Sequence, residues 1–156
     1  MIVRGFFLGA LILVATLPAC SSGESGMRDG YYTAESASFD GEGWKDFLTI
    51  YVSQNKIVTV EYNARNASGF IKSWDIEYMR RMKATSGTYP NEYTRLYSAD
   101  LLNKQDPGLV RSLPGAERQH GVFQLLAKSA MDHAKRGDPR IAFVELPLAL
   151  NAPDSL

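Results

Sequence analysis

Cys20 is the residue best suited to covalent chemistry, because it is the only cysteine of the 156-residue chain. It directly follows an apolar run, Phe6 to Leu17, and the pair Pro18-Ala19. A lone cysteine cannot form an intramolecular disulfide, so no such bond stabilises the domain. Its sulfur is left either to accept a lipid or to remain a free thiol.

The first nineteen residues have the layout of a secretory leader. Arg4 gives a short positive start, and the apolar run is too short to span a bilayer. Residues 17–20 resemble the lipobox of bacterial lipoproteins, in which the cysteine receives a diacylglyceryl group, although Pro18 departs from the usual Ser, Ala, Thr or Val. The sequence therefore predicts a mature protein that begins at lipid-bearing Cys20, and Ser21 favours the outer membrane in a cell that has one. The alternative is an ordinary secreted protein with a free thiol.

Charge and composition exclude several function classes. The 17 basic and 17 acidic residues give a formal net charge of zero, so neither nucleic acid nor an anionic membrane is indicated as a general partner. The two histidines, His120 and His133, have no metal-ligand spacing and are interpreted as surface residues. Local motifs of hydrolases, thiol oxidoreductases, kinases and cytochromes are missing, so an independent enzyme is not predicted.

The chain after the leader is long enough for one domain. Strands are predicted at Tyr31 to Ala37, Trp44 to Ser53 and Lys56 to Ala64, where apolar and polar residues alternate. The last two should form a hairpin, because Asn55 tolerates the positive φ of a tight turn. The predicted core face of this hairpin consists of the side chains of Leu48, Ile50, Val52, Val58 and Val60.

Helical periodicity follows. Ser73 is the predicted N-cap of a first helix that carries Trp74, Tyr78, Met79 and Met82, and Ser86-Gly87 ends it. A second helix is predicted from Pro90 to Lys104, and a third from about Gly121 to Arg136. A final strand from Arg140 to Leu146 precedes a loose tail.

The order of these elements predicts an α+β fold with a mainly antiparallel sheet and about three helices. The predicted domain organisation is a signal peptide (1–19), a lipidated flexible tether (20–28), one domain (29–147) and a tail (148–156).

Several short motifs in this domain resemble the FMN-binding domains of small bacterial lipoproteins. They are DGYY at residues 29–32, GWKD at 43–46, KIVTVEYNA at 56–64, EYMRRMKATSGTYPNEY at 77–93 and QDP at 105–107. The likeness covers residues 29–137. It implies an envelope redox domain with FMN joined to a threonine by a dedicated transferase.

In that family the acceptor threonine ends a motif of the form D, two residues, S or T, then GAT. The matching stretch here is residues 111–117, in which Gly115 and Ala116 are kept, Arg111 replaces the acid, Pro114 the hydroxyl residue and Glu117 the acceptor. A carboxylate would give at best a labile acyl phosphate and would repel an anionic nucleotide, so covalent FMN at Glu117 is not expected. Ser112 is either a displaced acceptor or an ordinary loop serine.

Non-covalent FMN needs an apolar wall and a few hydrogen-bond donors. Tyr78, Met79 and Met82 are candidates for the wall, the alternative being ordinary helix packing. Two places are candidate hydrogen-bond donors to its phosphate: the segment Ser86-Gly87-Thr88, and the backbone at Gly115, Ala116 and Glu117. The alternative interpretation of Ser86-Gly87-Thr88 is an ordinary connection between two helices.

Three hypotheses result. The first is a membrane-anchored lipoprotein that carries FMN non-covalently as an electron carrier, or has lost it. The second is a flavin-free envelope lipoprotein that binds a redox or structural protein partner through exposed Tyr, Trp and Met residues. The third, a catalytic domain with Glu117 as general base, lacks a partner residue.

Overall fold

The computed structural model describes residues 26–151. Its strands are β1 (Gly30–Ser36), β2 (Lys45–Ser53), β3 (Lys56–Arg65) and β4 (Ala142–Val144). Its α-helices are α1 (Ile76–Ser86), α2 (Pro90–Lys104), α3 (Glu117–Arg136) and α4 (Leu148–Asn151), with 3-10 turns at Lys72–Trp74 and Pro107–Leu109.

The four strands form one mixed sheet in the order β3-β2-β1-β4. β1 and β3 pair antiparallel with β2, whereas β4 pairs parallel with β1. α3 packs across β1 and β2, and α2 packs on β3, so the helices cover one face of the sheet. The predicted α+β fold with a mainly antiparallel sheet is confirmed.

The β2–β3 hairpin confirms the predicted turn and corrects part of the predicted core face. Gln54 and Asn55 have φ values of 51° and 62°, as a two-residue turn with two left-handed positions requires. Leu48, Ile50 and Val52 are fully buried, as expected.

The prediction for Val58 is wrong, and Val60 is only partly buried. The pairing shifts between Tyr51 and Val52: Val52 lies opposite Ile57, and Tyr51 opposite Thr59. A bulge therefore leaves Val58 without a partner on β2 and turns its side chain out, while Ile57 fills the core instead.

Two helix starts also differ from the sequence prediction. The N-cap of α1 is Asp75, whose carboxylate accepts a hydrogen bond from the backbone N–H of Tyr78 at 2.9 Å. Ser73 is not the cap, because it lies buried in the preceding 3-10 turn and its hydroxyl accepts a hydrogen bond from the Asn63 amide. α3 begins at Glu117, four residues before Gly121.

Gly121 lies inside α3 because another element packs closely there. A Cβ on this residue would lie 3.1 Å from a methyl carbon of Leu150 in α4. The sequence predicts a loose tail after Pro147, yet Leu148–Asn151 forms this short helix, and β4 is shorter than the predicted strand.

The core lies between the sheet and the predicted apolar stripes of α2 and α3. The side chains that fill it from these helices are Tyr93, Tyr97, Leu101, Phe123, Leu126, Ala127, Ala130 and Ala134. Full burial of each large apolar side chain contributes roughly 1.5–3 kcal/mol, so these stripes fix both helices on the sheet. The loop that leads into α3 also lies against the end of α1, where Gly115 approaches the Ser86 carbonyl.

Candidate functional site

The loop before α3 contains three of the predicted cofactor residues, and a carboxylate already occupies it. Gly115 has a φ of 81°, and Ala116 is buried beside it. Both carboxylate oxygens of Glu117 lie 3.1 Å from the backbone nitrogen of Gly115, whose N–H donates to them. A negative group suits a helix N-terminus, so Glu117 takes the position expected for an anion.

The side chain of Tyr97 in α2 is hydrogen-bonded to this loop. Its hydroxyl donates to the Ala116 carbonyl at 3.0 Å and accepts from the Leu113 N–H at 3.3 Å. Burial raises the pKa of Tyr97 to about 12, so it remains a neutral donor at physiological pH. The loop is therefore anchored to α2 and not only to its own helix.

The end of α1, at the candidate donors Ser86 and Gly87, touches the same loop. A Cβ on Gly115 would lie 2.0 Å from the Ser86 carbonyl oxygen, so only glycine permits this approach. Gly87 follows in the left-handed conformation with φ 75°, and its carbonyl accepts from the Lys83 ammonium at 2.7 Å. Thr88 is buried, and its hydroxyl lies 3.2 Å from the Glu92 carboxylate.

Tyr78 and Met82 lie in the interior and form no exposed wall. Each is only 1% exposed. The Tyr78 hydroxyl donates to Glu42 at 3.2 Å, its ring meets Trp44 edge to face, and the Lys72 ammonium lies 4.3 Å from the ring centroid. For these two side chains, helix packing is the interpretation that the structure favours.

Met79 points elsewhere, into an open apolar groove between α1 and the start of α2. The groove has a volume of about 470 Å³. The residues that line it are Ile76, Met79, Arg80, Lys83, Ala84, Tyr89 and Asn91. Arg80 pairs with Glu77 at 2.8 Å, and Lys83 lies 3.6 Å from Glu92 and over the Tyr89 ring. This groove therefore combines an apolar floor with a rim of ion pairs.

Sequence reasoning found Met79 but missed the other members of the groove. The spacing of Ile76, Met79, Lys83 and Ala84 on a helix was a usable signal, since residues three and four apart share a face. Tyr89 gave no signal, because its approach to α1 depends on the connection between the two helices.

A buried polar cluster beneath the start of α3 was also missed. Asp40 accepts from the backbone N–H groups of Glu42 and Trp44 and pairs with Arg118 at 3.2 Å. The Tyr62 hydroxyl lies 3.3 Å from Asp46. Burial, and then the Asp46 charge, hold the pKa of Tyr62 well above its ordinary value. These groups fasten the first turn of α3 to the sheet.

The remaining candidates do not assemble into a metal site or a covalent flavin site. His120 bonds to the Val110 carbonyl and His133 to the Asp138 carbonyl, and within residues 26–151 no three His, Cys, Asp or Glu side chains are placed to hold a metal ion. Glu117 offers no hydroxyl to phosphorus, and its carboxylate covers the loop N–H, so the residues do not fit covalent FMN there. Ser112 is exposed in the loop, and Cys20 lies outside the described residues.

No helix among the described residues is long and apolar enough to cross a membrane.

No model of a known protein family matches this chain, but a sequence relative shows which family it belongs to. The chain is 37% identical over 138 residues to the 15 kDa lipoprotein of Treponema pallidum, a match that covers 88% of this chain and 95% of the relative. It also resembles the crystal structure of the CPE2226 protein from Clostridium perfringens, at 32% identity and a TM-score of 0.74, with 78% of this chain and 99% of that chain covered. The chain therefore belongs to the family of small bacterial lipoproteins that includes the 15 kDa lipoprotein of Treponema pallidum.

Proposed function

We propose that this protein is anchored in the bacterial envelope through lipid on Cys20 and carries FMN non-covalently as an electron carrier. The lipoprotein relative and the predicted leader at residues 1–19, directly before Cys20, support the anchor. The outer membrane is its location in a host that has one, since Ser21 follows the cysteine. The flavin is supported by the resemblance of residues 29–137 and by one structural observation, the groove at Met79.

The groove suits a planar, amphipathic anion. Its volume of about 470 Å³ lies within the range of small-molecule sites, about 300–1,000 Å³. Ile76, Met79 and Ala84 offer an apolar surface to an isoalloxazine ring. Arg80 and Lys83, which are paired with Glu77 and Glu92, can exchange those carboxylates for the phosphate. The loop at Gly115 is not part of this site, because Glu117 already accepts its N–H.

FMN titration of the protein without its leader and with Cys20→Ser tests the flavin. We expect saturable quenching of flavin fluorescence with no change in the intact protein mass. Met79→Glu should weaken binding at least tenfold, because it places an anion on the groove floor. Leu102→Glu is the matched control, since Leu102 is an exposed apolar residue of α2 outside the groove.

Absence of binding by the folded protein, or equal loss in both variants, would contradict a flavin in this groove.

The second candidate is a flavin-free module that binds an envelope protein. The contact between Glu117 and Gly115 favours it, because the chain itself supplies the negative group at this helix start. Exposed Ile76 in the groove and exposed Trp74, two residues before it, provide apolar contact area, and the side chains of Phe70 and Trp74 pack edge to face. Failure of FMN to bind the folded protein would favour this module.

The anchor has its own test. The full chain, expressed in a bacterium that processes lipoproteins, should carry a diacylglyceryl mass on Cys20 and sediment with membranes. Cys20→Ser should release it to the soluble fraction. A secreted, unlipidated protein with a reactive thiol would instead support the ordinary secreted alternative.

A further inference from the structure

We propose that one end of the domain lies against anionic lipid headgroups, so that the groove and the start of α3 face away from the membrane. This inference rests on the proposed lipid at Cys20. The tether end, as we call it, comprises residues 26–29, the β2–β3 turn at residues 53–56, the end of α2 at 104–105 and the end of α3 at 134–137. These segments are held together by direct contacts.

Backbone contacts fix where the chain enters the domain. The N–H of Met27 donates to the Asn55 side chain at 2.7 Å, and the N–H of Arg28 donates to the Ala134 carbonyl at 2.9 Å. The Gln105 side chain bonds to both the N–H and the carbonyl of Ile57. Residues 27 and 28, which the sequence assigns to the tether, are therefore bonded to the domain in the structure.

Element lengths place the candidate site at the opposite end. α3 has 20 residues, so its start at Glu117 lies about 30 Å from its end beside Arg28. Only five residues separate Cys20 from Gly26, so even a fully extended chain spans at most about 20 Å from Cys20 to Gly26. The lipid must therefore lie near the tether end, because the chain between Cys20 and Gly26 is too short to reach Glu117.

Charge favours the same orientation. The tether end carries five basic side chains: Arg28, Lys56, Lys104, Lys135 and Arg136. Acidic residues lie in or next to these segments as well: Asp29, Asp100, Asp106, Asp132 and Asp138. Lys135 pairs with Asp132, Lys104 with Asp100 and Arg140 with Asp138.

Among the described residues, Arg28, Lys56 and Arg136 make no ion pair and are exposed. Each Lys or Arg close to an anionic bilayer strengthens association roughly fivefold. Away from the tether end, exposed Arg81 and Arg95 are accompanied by exposed carboxylates, among them Glu117 and Glu145, which an anionic surface repels.

Energy transfer to labelled lipid headgroups tests the orientation. The lipidated full chain is placed on vesicles of phosphatidylcholine and phosphatidylglycerol, with a dye on one introduced cysteine. Asn103→Cys reports the tether end, and Ala67→Cys reports the far end of β3; both positions are exposed. Acylated Cys20 is not labelled, so each protein carries one dye. We expect strong transfer from position 103 and weak transfer from position 67.

Two charge variants separate orientation from simple anchoring. Lys56→Gln with Arg136→Gln should bring the two transfer values closer together, as should vesicles of phosphatidylcholine alone. Arg81→Gln with Arg95→Gln removes the same charge away from the tether end and should leave the difference intact. All variants keep the lipid and should remain vesicle-bound.

Equal transfer from both positions of the lipidated chain would overturn the orientation alone. An unmodified Cys20 that takes up dye would overturn the lipid anchor, and the orientation with it. Equal effects of the two charge variants would show that the basic residues of the tether end do not orient the domain, and would also overturn the proposal.

Discussion

The carboxylate of Asp100 joins α2 to the loop before α3. It accepts hydrogen bonds from the Nε, Nη2 and backbone N–H of Arg111, at 2.9, 3.1 and 3.2 Å, and from Lys104 at 3.0 Å. Arg111 stands where the resembled FMN-binding domains have an acidic residue. Its cationic side chain therefore has a structural partner, and an acid at position 111 would face Asp100 with like charge.

Hydrogen bonding from Arg111 holds the pKa of Asp100 well below its ordinary range. In the unfolded chain the Asp100 carboxylate takes up a proton near pH 4, whereas in the folded protein it stays ionised to lower pH. The stabilisation is therefore present above about pH 4 and is lost as the pH falls below that value.

We expect Asp100→Asn to lower the free energy of unfolding by roughly 1–2 kcal/mol at pH 7, because ionic hydrogen bonds are lost. The deficit should shrink between about pH 4 and pH 2. Urea unfolding at several pH values measures it. Asp132→Asn, which removes a more exposed carboxylate, is the control and should change little. A deficit independent of pH would rule out the charge as its cause.

At the level of elements, the end of α1 lies so close to the loop before α3 that a side chain at Gly115 would collide with the Ser86 carbonyl. Gly115 and Gly43 have the same φ of 81°, but only a Cβ at Gly115 meets backbone, whereas one at Gly43 has open space. Gly43→Ala should cost about 1–2 kcal/mol from backbone strain alone. Gly115→Ala should lower the free energy of unfolding by roughly 2 kcal/mol more than Gly43→Ala does, because α1 and the loop must separate.

Chemical unfolding of both glycine variants measures the difference, and the near-ultraviolet circular dichroism at 25 °C shows whether each still folds. Similar losses for the two would mean that the contact between Ser86 and Gly115 is not tight in solution.

At the scale of the whole molecule, residues 26–29 are part of the folded unit. Asp29 accepts from the Gln54 N–H at 2.8 Å, in addition to the bonds of Met27 and Arg28 described above. A protein that starts at residue 30 should unfold several degrees below one that starts at residue 26, because about three net hydrogen bonds of roughly 1 kcal/mol each are lost.

Thermal unfolding of the two proteins measures this loss. Asn55→Gly in the longer protein removes only the acceptor for Met27 while keeping a residue that tolerates positive φ, so it should show a smaller decrease. Equal unfolding temperatures for the two lengths would mean that the entry segment is not fixed to the domain, and would weaken the basis for the tether end.

Local patterns predicted the elements well where one short-range effect decides them. Pro90 and the apolar spacing of α2 gave its bounds as observed, Asn55 gave the hairpin turn, and the alternation at Leu48 to Val52 gave the buried face of β2. The exposed bulge at Val58 was not predictable, because β3 alone shows no sign of the extra residue that its pairing with β2 creates.

The sequence by itself determined the α+β fold class and the carboxylate of Glu117 at the position where the resembled FMN-binding domains have their acceptor threonine. The leader at residues 1–19 and the lipid on Cys20 stay predictions from the sequence. Tertiary structure decided which candidates meet. It brought Ser86 beside Gly115, buried Tyr78 against Trp44, and left Met79 in a groove with Tyr89. Periodicity assigns a residue to a helix face, but only the packing of that helix against others determines whether the face is core or surface.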